Sequence, residues 1–145
     1  MIVGFVGISE NKMRHILSVA RQCEIIARKK YMLDETSCKK AFMIGYLHDI
    51  GYEFSKTNIE HPETAYNLLM QTFNLKIPEI LYHGDANVEQ SLFLAILNEA
   101  DLTVDGFGNV VSVDARLKDI KDRYGDSSEQ YINAFNLSQK LNLIP

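Results

Sequence analysis

Ala41-Phe42-Met43-Ile44-Gly45-Tyr46-Leu47-His48-Asp49-Ile50-Gly51 is apolar along its length until it sets an imidazole and a carboxylate side by side. A helix that is apolar nearly all round is one surrounded by other helices, so residues 41–48 are expected to lie at the centre of a helical fold. Gly51 suits a left-handed C-cap, which would place His48 and Asp49 on the last turn. Thr36 or Ser37, after the polar break at Leu33-Asp34-Glu35, is available as the N-cap.

Working outward, Ile16, Val19, Ala20, Cys23, Ile26 and Ala27 recur at helical spacing and predict a helix over about 10–31, opened by Ser9. His15 falls about 80° from the middle of that stripe, at its edge, where a ring can touch the core and still reach a neighbouring element. Downstream, 52–60 is polar and reads as a loop. His61-Pro62-Glu63-Thr64 then opens a helix with proline and a carboxylate in its first turn, and His61 at or beside the N-cap. Pro78 starts a short helix that ends at His83-Gly84-Asp85. A further helix from about Val88 carries Leu92, Phe93, Ile96, Leu97 and Ala100, and Asp101 extends that apolar row, so its carboxylate faces inward. Near a helix C-terminus such a carboxylate needs a compensating cation. Asp105 to Asn109 is a turn, with at most a short bridge near Gly106 to Val111. Ser112 caps a helix over 113–124, and Ser127 or Ser128 caps a last one through about Asn142. The expectation is an all-α, compact single-domain bundle of about seven helices over residues 1–145, with no parallel sheet.

Composition narrows the function. The chain has 145 residues, 46% hydrophobic and 23% charged, which excludes a disordered segment and fits one domain that buries its core without disulfides. A net charge of −4, with basic residues scattered, offers no stripe for a nucleic-acid polymer. The apolar residues 1–7 are too short to span a bilayer and lack the basic flank of a secretion signal; they are expected to pack on the domain or at a homodimer contact. The two cysteines, Cys23 and Cys38, have no paired spacing and read as reduced packing residues of a cytoplasmic protein.

Each polar residue taken alone has an ordinary explanation: a histidine on a helix flank is usually a satisfied core or surface group, and an aspartate before glycine usually a cap. The coincidence is what argues otherwise. All four histidines fall at helix edges or ends, and Asp49 and Asp101 both end apolar runs. Imidazoles and carboxylates together suit a borderline divalent metal, and a buried carboxylate pair without a cation would be strongly disfavoured.

His15, the pair His48-Asp49 and the later Asp101 resemble the H…HD…D signature of the HD-domain phosphohydrolase superfamily, and His48-Asp49-Ile50-Gly51 resembles its HDIG variant. MRHILSVA, GYLHDIGY and ILNEAD are similar to the family's first, second and fifth helices, so the resemblance covers about residues 10–105. It implies an all-α bundle, and ligation of a divalent metal by His15, His48, Asp49 and Asp101. Members with two metals add two histidines between the HD pair and the last aspartate, the first often in His-Pro-Glu. His61-Pro62-Glu63 and His83 are similar and in the same order, which implies two ions bridged by Asp49, with iron, manganese, zinc, cobalt and magnesium not distinguished.

The implied activity is hydrolysis of a small phosphate ester or anhydride, with a nucleotide as the nearest substrate, by metal-activated water. Asp49 and Glu53 are then the candidate catalytic carboxylates, although Glu53 stands at a different register from the acid of mononuclear members. Arg14, Lys56 and Arg116 are the candidate cations for substrate phosphate, with a solvated face the alternative for Lys56. The cyclic-dinucleotide phosphodiesterases that share HDIG follow it with lysine and carry a later Gly-Tyr-Pro; here Tyr52 follows and Gly-Tyr-Pro is absent, so their substrate does not transfer. Two further readings stay open: a di-iron oxygenase of the same superfamily, and a non-catalytic metal-bound sensor.

Overall fold

A computed structural model of the chain describes residues 8–53 and 61–145, with the backbone alone for residues 52 and 53. Its seven helices are α1 (Glu10–Lys29), α2 (Glu35–Leu47), α3 (His61–Phe73), α4 (Pro78–Tyr82), α5 (Leu92–Asp101), α6 (Val113–Tyr124) and α7 (Glu129–Lys140), and a 3-10 helix spans Ile50–Glu53. Among the described residues the sole β feature is the antiparallel bridge Val104 to Val110, so the fold is all-α as the apolar periodicity requires. No described helix is long and apolar enough to cross a membrane.

α1 and α2 are brought together by small residues. A Cβ at Gly45 would lie 2.8 Å from the Ala20 Cα, so only glycine lets the two backbones approach this closely. Val19, Cys23 and Ala27 of α1 then pack on Cys38, Ala41 and Ile44 of α2 and on Ile96, Leu97 and Ala100 of α5. Both thiols are free and buried in this layer. A second cluster, Leu102, Leu117, Ile120, Ala134 and Leu137, joins α6 and α7 to the end of α5. A third, Ile50, Ala65, Leu69 and Ile80, fastens the 3-10 helix to α3 and α4.

Several element ends differ from expectation, each for a local reason. The α2 N-cap is Asp34, whose Oδ1 accepts the Ser37 N–H at 2.8 Å, rather than Thr36 or Ser37. α5 begins at Leu92 instead of Val88, because residues 85–90 satisfy themselves in a turn: Asp85 Oδ1 accepts the Asn87 N–H and the Gln90 amide donates to the Val88 carbonyl. Gly51 is not a left-handed cap. It sits in the 3-10 helix, and a Cβ there would fall on the His61 carbonyl oxygen, so its role is close approach to the start of α3. Ser112 and Ser128 cap α6 and α7, and α6 ends on Gly125 at φ 95°. The apolar residues 1–7 and most of the predicted 52–60 loop lie outside the described residues.

Candidate metal centre

Four helix ends and one helix flank converge on Asp49. His15 looks inward from the first half of α1, His48 caps α2, His61 is the first residue of α3, His83 caps α4 and Asp101 ends α5. The six side chains predicted as ligands are therefore brought to one place. His48 is fully buried, and His15 and Asp49 are 1% and 3% exposed.

The two oxygens of Asp49 face different partners. Oδ2 lies 3.4 Å from His15 Nε2 and 3.2 Å from His48 Nε2, and Asp101 Oδ1 closes that side at 3.0 Å from His15 Nε2. Oδ1 instead lies 3.1 Å from His61 Nε2 and 3.5 Å from His83 Nε2. Donor atoms of His15, His48 and Asp101, and again of His48, Asp49 and His83, are close enough together to hold a metal ion.

The far sides of three of the rings place a proton on Nδ1. Nδ1 of His15 donates to the Asp105 carbonyl at 2.9 Å, that of His48 to the Gly45 carbonyl at 2.5 Å and that of His83 to the Ile80 carbonyl at 2.6 Å. A carbonyl can only accept, so each Nδ1 carries a proton and the ring turns its Nε2 into the cluster. His61 Nε2 sits 2.9 Å from His83 Nε2, a spacing that two lone pairs tolerate only around a shared cation or proton. Among the described residues, buried His48 Nε2 and Asp101 Oδ1 have no hydrogen-bond partner. An orphaned nitrogen and an orphaned carboxylate oxygen facing one another fit a divalent cation.

The electrostatics agree. Burial opposes ionisation of Asp49, yet the charges of His48 and Lys12 and a hydrogen bond from His15 hold its carboxyl well below the usual range. Asp101 behaves alike, with burial overcome by His15, His48 and Arg116. Burial would lower the pKa of His15, but Asp101 and Asp49 raise it on balance. The cluster demands positive charge, and a proton on Nε2 competes with a metal for the same place.

The predicted cations separate. Arg116 reaches the site: its Nε donates to the Asp101 carbonyl at 3.2 Å and its Nη2 lies 3.7 Å from Asp101 Oδ1, supplying the compensation that a carboxylate at a helix end needs. Arg14 is not brought to the cluster; its guanidinium pairs with Glu10 at 2.9 Å on an exposed flank of α1. Lys12 takes that place, with Nζ 3.5 Å from Asp49 Oδ2. It lies three residues before His15 and so on the same face, a helical signal legible in the sequence, whereas Arg14 is a full 100° away. The side chain of Glu53 and all of Lys56 lie outside the described residues.

Two supporting residues carry weaker signals. Asn98, 1% exposed, accepts the Gly84 N–H on Oδ1 at 2.9 Å and donates from Nδ2 to Gln90 at 2.7 Å, so it holds the turn that follows His83. An asparagine inside an apolar helical row was the available clue. Asp105 ties its own turn through the Phe107 and Asn109 N–H groups and thereby aims its carbonyl at His15. Gly108, at φ 86°, lets this turn lie against the Arg14 backbone.

A family model described as the HD domain matches residues 13–104, while no curated protein and no solved structure matches the chain. The match begins just before His15, ends just after Asp101 and stops short of α6 and α7. It covers more than half of the chain and takes in all six converging side chains, and so the chain belongs to the HD domain family, within the superfamily of metal-dependent phosphohydrolases.

Proposed function

We propose that this protein is a two-metal phosphohydrolase of small phosphate esters or anhydrides, with a nucleotide as the nearest substrate. The observation that carries the reading is the split of the Asp49 carboxylate between two sets of imidazole Nε2 atoms. His15, His48, Asp101 and Asp49 Oδ2 would hold one ion; His61, His83 and Asp49 Oδ1 the other. Bound divalent ions would lower the pKa of a coordinated water toward neutrality and polarise a phosphoryl oxygen.

The chain's own groups supply position and charge. Lys12 and Arg116 flank the carboxylates from opposite helices and would bind the phosphate oxygens left over, Arg116 being held ready by Asp119 at 2.8 Å. Water oxygen bonds to phosphorus as the bond to the leaving oxygen breaks, and that oxygen takes up a proton to leave as an alcohol or a shorter phosphate. Glu53 is kept as a candidate for moving that proton and Lys56 as a further phosphate cation, on sequence position alone.

The test is metal analysis of protein purified without added metal, followed by manganese or iron loading and a screen for phosphate release from esters and nucleotides. About two ions per chain with released phosphate supports the reading. Oxygen consumption that requires iron, with no phosphate released, would assign the six-ligand site to an oxygenase instead. Tight metal with no turnover would make the protein a sensor.

A further inference from the structure

A cavity of about 550 Å³ opens from the metal cluster and runs on beneath α6 and α7, beyond the matched residues. Its inner end holds His15, Asp49, Asp101 and His83; its outer end is walled by residues that a metal site does not use. The floor there is apolar, from Leu102, Ile120, Ala134 and Leu137, all buried. Above it stand the side chains of Gln130 and Asn133, half-buried, one turn apart on α7, and without a hydrogen-bond partner among the described residues. A volume of this size accommodates a ligand several times larger than phosphate.

We infer that α6 and α7 form a leaving-group subsite for an uncharged, ring-bearing alcohol esterified to a single phosphate. This rests on the phosphohydrolase reading for the phosphate end. A carboxamide offers one acceptor and two donors, and two of them over an apolar floor suit a ring that presents both functions at its edge, as a sugar or a nucleoside does. Charge excludes the polyphosphates. The described cations of the cavity are Lys12, Arg116 and Arg123, each already facing a carboxylate, Asp49 or Asp119. The lining also includes Glu63, Asp85 and Glu129, which would repel a second and third phosphate.

The experiment uses the full chain and two readouts, rates with manganese bound and resonances with diamagnetic magnesium bound. Initial rates are compared for glycerol 3-phosphate, ribose 5-phosphate, a nucleoside 5′-monophosphate and its di- and triphosphates. Separately, ribose and the free nucleoside are titrated while the side-chain amide resonances of Gln130 and Asn133 are followed. The ring-bearing monoesters should exceed glycerol phosphate in kcat/KM, chiefly through KM, and exceed the di- and triphosphates. Gln130→Leu and Asn133→Leu should each lower the ring-to-glycerol ratio by about 3- to 10-fold, the worth of one neutral hydrogen bond. Saturable movement of both amides by ribose as well as nucleoside assigns them to the sugar, and by nucleoside alone to the base. Amide saturation without any phosphate release would support the subsite and sink the hydrolase reading. Equal kcat/KM across the monoesters, a preference for triphosphate, or amides that neither compound moves would each overturn the subsite while leaving any measured hydrolysis intact.

Discussion

His15 and His48 stand on helices of 20 and 13 residues that cross at Gly45 and share one buried layer with α5. His61 and His83 stand at the first residue of α3 and the cap of the five-residue α4, which pack on a 3-10 helix through Ile50, Ala65, Leu69 and Ile80. The side chain of His48 is wholly buried, whereas that of His61 is 15% exposed. The same residue type thus serves one carboxylate from a deep, broad core and from a smaller one. Local opening draws on elements with few buried contacts, so the His61 and His83 side should yield first.

The largest expected effect removes the shared group. Asp49→Ala should empty both ion positions and abolish turnover, as read by metal content and phosphate release; retention of one ion would show that Asp49 is not shared.

Next comes the contrast between sides. His61→Ala should leave about one ion per chain and a nearly unchanged melting temperature, since a part-exposed ring at the first residue of a helix is lost. His15→Ala should destabilise the protein by about 3–5 kcal/mol, because Asp49 and Asp101 would face each other without their buried partner. Equal depression of the two melting temperatures would break the comparison.

Gly51→Ala is a smaller and sharper probe. The new methyl would meet the His61 carbonyl and lie 2.9 Å from the Ala65 nitrogen, an overpacking that costs about 1–3 kcal/mol. Metal content should fall toward one ion with the His15 side intact; two ions retained would show that Gly51 does not place α3.

The smallest effect lies on the well-packed side. Burial opposes ionisation of Asp119, but Arg123, Arg116 and the Gly106 N–H hold its carboxyl below the usual range. A lowered folded-state pKa means stability that is present above the unfolded value of about 3.9 and is lost as pH falls through the folded value. Asp119→Asn should therefore cost no more than about 1 kcal/mol at neutral pH, allowing for solvent screening. The deficit, followed by thermal melts, should shrink below about pH 4. A deficit independent of pH would show that packing, not charge, is what Asp119 supplies.

The sequence was most readable where burial and polarity collide. His15, His48, Asp49 and Asp101 sit at the edges or ends of apolar rows, and such residues converge in the fold because the rows do. Gly51 shows the limit: its sequence signal is a local cap, yet its position is set by α3, which no nearby residue announces. Arg14 stands beside His15 in the chain, but neighbours on a helix diverge, and Lys12 one turn away shares the face. The partners of Asn98 are Gly84 and Gln90, which depend on how the turn before its helix folds, so they were not legible in the sequence.

His15, His48 and His83 are aimed by main-chain carbonyls, those of residues 105, 45 and 80. A substitution at Ile80 or Asp105 changes a side chain but leaves the carbonyl in place, provided the local backbone holds. The orientation of the rings is thereby insulated from much of the mutational drift that would erode carboxylate or amide anchors. The walls contributed by α6 and α7 have no such insulation, since they meet the cavity with side chains. Substitutions accumulating in this chain would accordingly alter which molecules it accepts well before they alter what it does to them.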